Sequence, residues 1–252
     1  MLVITYEEGN FQPADYNNGE PNQWTDWSAE LIIGQQSNSN IAEQLEMLQE
    51  FSAIELSNSL KNDAQKKAFW INTYNALVQY NLTKDATLFK NKSTFYRMPL
   101  LSLKDKQLSL DDIEHGILRK SQIKYGMGYF THPFASDIEQ ILRIEQRDPR
   151  IHFALNCGAR NCPPIRVYHP DQLEDELEEN SAAFLEKVSL FDPVKNSLNT
   201  TPLFRWFKGD FGGEVGMLKL FKHFKVLKED QNPNIAYNEY DWTLSLHHYV
   251  ED

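Results

Sequence analysis

From Ala68 through Thr83 the chain carries no charged side chain. Apolar residues recur there at helical spacing: Trp70, Ile71, Tyr74, Leu77 and Val78 share one face, and Phe69, Thr73, Ala76 and Tyr80 widen it. The remaining stripe is Asn72, Asn75 and Gln79, where a helix facing water normally shows Lys or Glu. Neutral amides both donate and accept hydrogen bonds, so this stripe is expected to face a polar interior or a cleft. Two uses compete for it: satisfying the backbone of buried loops, and building a binding site. In either case the helix belongs inside the molecule.

The rest of the chain predicts further helices around it. Residues 1–38, with Pro13, Pro21 and the polar run from Gln35 to Asn40, read as an irregular N-terminal arm, and residues 39–252 as a single globular domain. Helical spacing is found from Ile41 to Phe51, from Ala64 to about Leu82, from Leu110 to about Lys120, from Asp137 to Glu145 and from Pro170 to about Lys187. Val188 to Leu198, broken by Asp192-Pro193, suits a short hairpin, and two more helical pieces flank Gly212-Gly213. Ile151 to Asn156 alternates in the manner of a strand, with Ile151, Phe153 and Leu155 on one side and His152, Ala154 and Asn156 on the other. The predicted fold is therefore α+β: a mostly helical single domain around a small central sheet that contains this strand, with the Trp70 helix packed against it.

The formal charge of -11 disfavours nucleic acid and anionic lipid as partners, because no basic field is available to displace counterions. No run approaches the roughly 18 to 20 apolar residues of a membrane span, and the first residues lack a basic segment followed by an apolar signal core, so a cytoplasmic location is expected. An export signal missing from the sequence as given would change that expectation. The expected partner is a small molecule or peptide, of a class the residues do not specify, with no cofactor.

Helix 110–120 poses a specific problem. Ser109 and Asp112 make a capping pair, and Leu110, Ile113, Ile117 and Leu118 form an apolar stripe. Glu114 falls inside that stripe, where its carboxylate is expected to be strongly buried; it then needs a cation or donors, or its pKa must rise. His115 projects about 100° further round and meets different neighbours.

The chain's two cysteines lie in one segment, Ile151-His-Phe-Ala-Leu-Asn-Cys157-Gly-Ala-Arg-Asn-Cys162-Pro-Pro164. Gly158 permits close backbone approach, Arg160 is a cation that favours a thiolate, and Pro163 biases Cys162 toward extended backbone. A thiol at a strand end, with a histidine to activate it, suits a nucleophile.

Four stretches of this sequence, Phe69 to Leu77, Leu110 to Arg119, Asp148 to Ile165 and Tyr240 to Leu244, together resemble the Domain of Unknown Function 547 family. The resemblance spans roughly residues 60 to 245. Its name records that no activity is assigned to the family, so it implies no reaction. The family pattern commonly has Ser before the second cysteine, where Asn161 stands here, so the resemblance does not imply an essential hydroxyl at that point. The chain also lacks the leucine-zipper region that plant members often add.

The residues themselves suggest a thiol-dependent hydrolase or acyltransferase. Cys157 is the nucleophile, His115 or His152 the general base, and Glu114 joins them as a catalytic carboxyl. Asn72, Asn75, Asn156, Arg160 and Cys162 bind or orient. The riskiest expectation is that Asn72, Asn75, His115, Asn156 and Cys157 converge on one pocket. A competing reading is a non-enzymatic binding or scaffold module with a structural cysteine loop. Another is metal binding through Cys157, Cys162, His115, His152 and Glu114, although four residues between the cysteines and no second ligand pair make a weak zinc signature.

Overall fold

The computed structural model describes residues 19–250. Its architecture is α+β and mostly helical, with two small sheets. Helix α4, Asp63–Lys84, runs through the interior: Asn62 caps its start by accepting the Gln65 N–H at 2.9 Å, and every residue from Asp63 to Gln79 is buried. Trp70, Tyr74 and Leu77 are at most 2% exposed, as expected of a helix with no face for water.

Its principal neighbours are helical. Helix α1, Gln23–Gln36, lies along it, with Trp27 stacked on Phe69 at 5.7 Å between ring centroids. This helix replaces irregular backbone expected there: Asn22 and Thr25 form a reciprocal capping box, and Trp24, Trp27, Leu31 and Ile32 are buried. Pro21 marks the approach to that cap. Residues 1–18, including Pro13, lie outside the described residues. The helix expected over Ile41 to Phe51 is shorter, α2 at Ala42–Met47, followed by a 3-10 turn at Leu48–Glu50 and by α3 at Ala53–Ser59.

Helix α5, Lys92–Phe95, leads into an antiparallel pair, β1 at Pro99–Ser102 and β2 at Gln107–Ser109. The pair feeds a π-helix at Asp112–Leu118, started by Asp112 accepting the Ser109 N–H at 2.8 Å. Helix α6, Asp137–Leu142, packs beside it. Further along, α7 at Leu173–Val188 precedes the expected hairpin, β3 at Leu190–Asp192 and β4 at Ser197–Thr200. Helices α8, Leu203–Trp206, and α9, Gly213–His223, follow, and β5 at Asn234–Tyr237 adds to β4 in parallel.

The segment Ile151 to Asn156 is not a strand. Asp148 accepts the Arg150 N–H at 3.0 Å and Pro149 occupies the first turn, so Pro149–Phe153 winds into a 3-10 helix. The alternation misled because it reports two apolar surroundings. Ile151 and Leu155 enter the core around α4, whereas Phe153 joins a second aromatic core with Phe184, Phe204, Phe211 and Phe221. All residues from Ile151 to Asn156 are buried, so no solvent face exists to set a period of two.

Candidate active site

Side-chain amides hold the cysteine segment in place. Asn75 donates to the Ala154 carbonyl at 2.9 Å and accepts the Asn156 N–H at 2.8 Å. Asn156 in turn donates to the Pro163 carbonyl at 2.7 Å and accepts the Gly158 N–H at 2.9 Å. Asn72 makes the same reciprocal clip to Tyr168, and Asn180 of α7 donates to the Phe153 carbonyl. Thus irregular backbone that crosses the interior finds its partners on side chains, as buried peptide groups require. Gly158 takes φ +88°, and a Cβ there would stand 2.8 Å from Leu82, so both its conformation and its packing call for glycine.

These clips turn the cysteines toward an open cavity of about 670 Å³. Glu114, His115, His152, Cys157 and Cys162 line it, with walls that include Tyr74, Tyr96, Trp206, Tyr240 and Trp242. Asn72, Asn75 and Asn156 do not line it. The expected convergence of all five residues is therefore replaced by a division: His115 and Cys157 border the cavity, while the three asparagines, fully buried, fix the backbone behind it. Arg160 points to solvent, 64% exposed, and pairs with Asp241 at 3.5 Å.

Cys157 and Cys162 are joined as a disulfide. Cys157 is partly exposed and Cys162 only 3% exposed. The Cys162 sulfur accepts the Cys157 N–H at 3.0 Å and lies 3.3 Å from the Tyr240 hydroxyl, which is 3.8 Å from the Cys157 sulfur. Tyr96 donates to the Cys157 carbonyl at 2.8 Å.

Glu114 keeps 16% of its side-chain exposure, on the cavity side, and is less buried than its place in the apolar stripe predicts. The π-helix explains this, since it departs from the 3.6-residue repeat on which the stripe was drawn. Tyr74 donates to its carboxylate at 3.3 Å. Burial pushes the Glu114 pKa up to about 7, and the nearby Arg119 charge only partly offsets that. His115 is buried, and its Nδ1 sits 2.9 Å from Arg119 Nη1 and 3.5 Å from Glu114 Oε1. A guanidinium only donates, so Nδ1 is the acceptor and the neutral ring carries its proton on Nε2. Burial, and next the Arg119 charge, hold the His115 pKa well below its ordinary value.

Behind this pair stands Asp210, which binds Arg119 at 2.6 Å, His152 at 2.8 Å and Arg147 at 3.2 Å. Burial alone would raise the Asp210 pKa, but the Arg119 and His152 contacts hold it below the usual carboxylate range. His152 stacks on Phe207 at 3.9 Å, and its Nε2 is committed to Asp210. Burial lowers its pKa, against the pull of Asp210.

The C-terminal residues complete the enclosure as a strap. Arg160 N–H bonds the Thr243 carbonyl, Ser245 N–H the Gly158 carbonyl, and Gln79 accepts the His247 N–H at 2.8 Å. This brings Tyr240 and Trp242 to the cavity, where they cluster with Trp206. Sequence patterns picked out the Tyr240 motif but gave no role to Tyr96 or Asp210, or to Asp111 and Lys124, which pair at 2.7 Å in the cavity wall. Asp210 falls within the helical piece expected over Pro202 to Phe211, of which only Leu203–Trp206 forms, and has no local signature; only the folded contacts define it. Among the described residues, no group of three or more His, Cys, Asp or Glu side chains is arranged to hold a metal ion, and no helix is long and apolar enough to cross a membrane.

Over residues 57–185, just over half its length, the sequence matches the family described as Protein of unknown function, DUF547, and the chain belongs to that family. No curated protein and no solved structure matches it.

Proposed function

We propose that the cavity is the active site of a thiol-dependent hydrolase or acyltransferase, with Cys157 as nucleophile once the disulfide is reduced. The observation that carries this reading is that Cys157 shares one cavity with a carboxyl whose pKa is raised to about 7 and with a neutral histidine. Glu114, and not a histidine, is the proton carrier in this scheme. Arg119 occupies Nδ1 of His115, and Nε2 of His152 is held by Asp210, whereas a carboxyl titrating near neutrality both accepts and returns a proton.

In the first half-reaction the Cys157 thiol gives its proton to Glu114, and sulfur bonds to a carbonyl carbon while the carbonyl electron pair moves to oxygen. The Nε2–H of His115, which lies 3.8 Å from Asp111 Oδ1 at the cavity wall, is the donor to that oxyanion. Collapse breaks the bond to the leaving group, which takes the proton from Glu114. Water or an acceptor nucleophile then releases the acyl group by the same steps in reverse.

The test uses the full chain, reduced and desalted, with p-nitrophenyl acetate as probe. A Cys157→Ser variant should lose turnover and the covalent acetyl adduct seen by mass spectrometry, while Cys162→Ser keeps both. Retained turnover in Cys157→Ser overturns the proposal.

A further inference from the structure

The disulfide is asymmetric in its surroundings. Both cysteines line the cavity, but Cys157 is the partly exposed one. The sulfur of Cys162 is buried and already receives two hydrogen-bond donors, the Cys157 backbone N–H at 3.0 Å and the Tyr240 hydroxyl at 3.3 Å. A sulfur bonded to another sulfur carries no proton, so Tyr240 is the donor. Donors fixed around a sulfur favour its thiolate over its thiol. A disulfide is cleaved fastest when the departing sulfur is the better stabilised thiolate.

We propose that this site carries out thiol–disulfide exchange with low-molecular-weight thiols, Cys157 being the attacked sulfur and Cys162 the leaving thiolate. A thiolate entering the cavity bonds to Cys157 and the Cys157–Cys162 bond breaks. Its electron pair goes to Cys162, which the N–H and hydroxyl groups hold. A second thiolate attacks the incoming sulfur of the mixed disulfide and expels the Cys157 thiolate. Two thiols become one disulfide, and their two protons end on the protein's dithiol. Glu114 lines the same cavity and, titrating near neutrality, relays those protons. The reverse sequence reduces a small disulfide. Tyr74, Tyr96, Trp206 and Trp242 favour thiols with an apolar or aromatic flank over highly charged ones. The activity shares Cys157 with the acyl-transfer reading but does not rest on it.

The experiment treats the oxidised, folded full chain with dithiothreitol, quenches with a maleimide and counts labelled cysteines by mass. Both cysteines of the wild type should become labelled under native conditions, and Tyr240→Phe should slow this about tenfold, the lower end of what one hydrogen bond to a charged group carries. With oxidised glutathione, reduced Cys162→Ser should accumulate a stable adduct on Cys157, whereas Cys157→Ser should form an adduct on Cys162 at least tenfold more slowly. A disulfide reduced only after unfolding in urea overturns the proposal without recourse to any variant. So does equal adduct formation on the two cysteines, or an unchanged rate in a folded Tyr240→Phe. Ester hydrolysis is read separately: its absence with exchange intact removes the acyl-transfer reading alone, and the opposite result removes this one alone.

Discussion

Replacing Asn75 with Ala tests the architecture behind the cavity most directly. The side chain is fully buried and makes two hydrogen bonds, to the Ala154 carbonyl at 2.9 Å and from the Asn156 N–H at 2.8 Å. Truncation deletes both and leaves two backbone groups without those partners in a dry interior. Each buried group stranded in this way costs about 1 to 3 kcal/mol, so the variant should lose roughly 2 to 6 kcal/mol. Against a typical stability of about 5 to 15 kcal/mol, that is a large fraction. Urea titration followed by tryptophan fluorescence gives the loss from the shift in midpoint at constant slope. Native-state hydrogen exchange should show the Asn156 amide losing protection beyond the global change. Asn161→Ala is the matched control: Asn161 is partly exposed and reaches the Glu239 carbonyl only at 3.5 Å, so its loss should stay within about 0.5 kcal/mol. If Asn75→Ala costs no more than Asn161→Ala, the amide stripe does not anchor the cysteine segment and the reasoning fails.

Asp210→Ala should destabilise by about 3 to 5 kcal/mol, because it strands the buried Arg119 guanidinium; thermal and urea unfolding both report it, and a change under about 1 kcal/mol refutes the hub. Glu114→Gln should alter the pH dependence of stability. The carboxyl's pKa is about 7 in the folded protein against an ordinary value of 4.5, so between these pH values the native state holds the proton more tightly than the unfolded chain. Stability therefore falls as pH rises through this window, by up to roughly 3 kcal/mol, and Glu114→Gln should remove that slope. Identical pH profiles for parent and variant would contradict the assigned shift.

The interior helix was legible because a run without charge leaves no alternative to burial, and the hairpin at residues 190–200 because Asp192-Pro193 breaks two apolar stretches. Patterns failed where two environments meet in one short segment. Ile151 to Asn156 alternates because neighbouring side chains serve different cores, and period-two spacing cannot distinguish that from a strand. Residues 23–36 were hidden behind Pro21, although Asn22 and Thr25 carried the capping signature. In the site, the residue types of the cysteine segment announced chemistry, and the amides of α4 posed the right alternatives, which only contacts could resolve. Which nitrogen of His115 accepts a hydrogen bond depends on Arg119, four residues along, and the placement of the Arg119 guanidinium depends on Asp210, ninety-one residues further; no local pattern encodes such a chain.

The family match ends at residue 185, yet part of the cavity wall is built beyond it, from Leu203, Arg205, Trp206, Phe207, Tyr240 and Trp242. The groups suited to making and breaking bonds, Glu114, His115, Cys157 and Cys162, all lie within it. One cavity is thus assembled from the matched span and from a stretch that follows it. That later stretch also carries Asp210 and Tyr240, which hold Arg119 and Cys162, so transplanting residues 203–242 between family members should alter the setting of the reacting groups together with the wall around them.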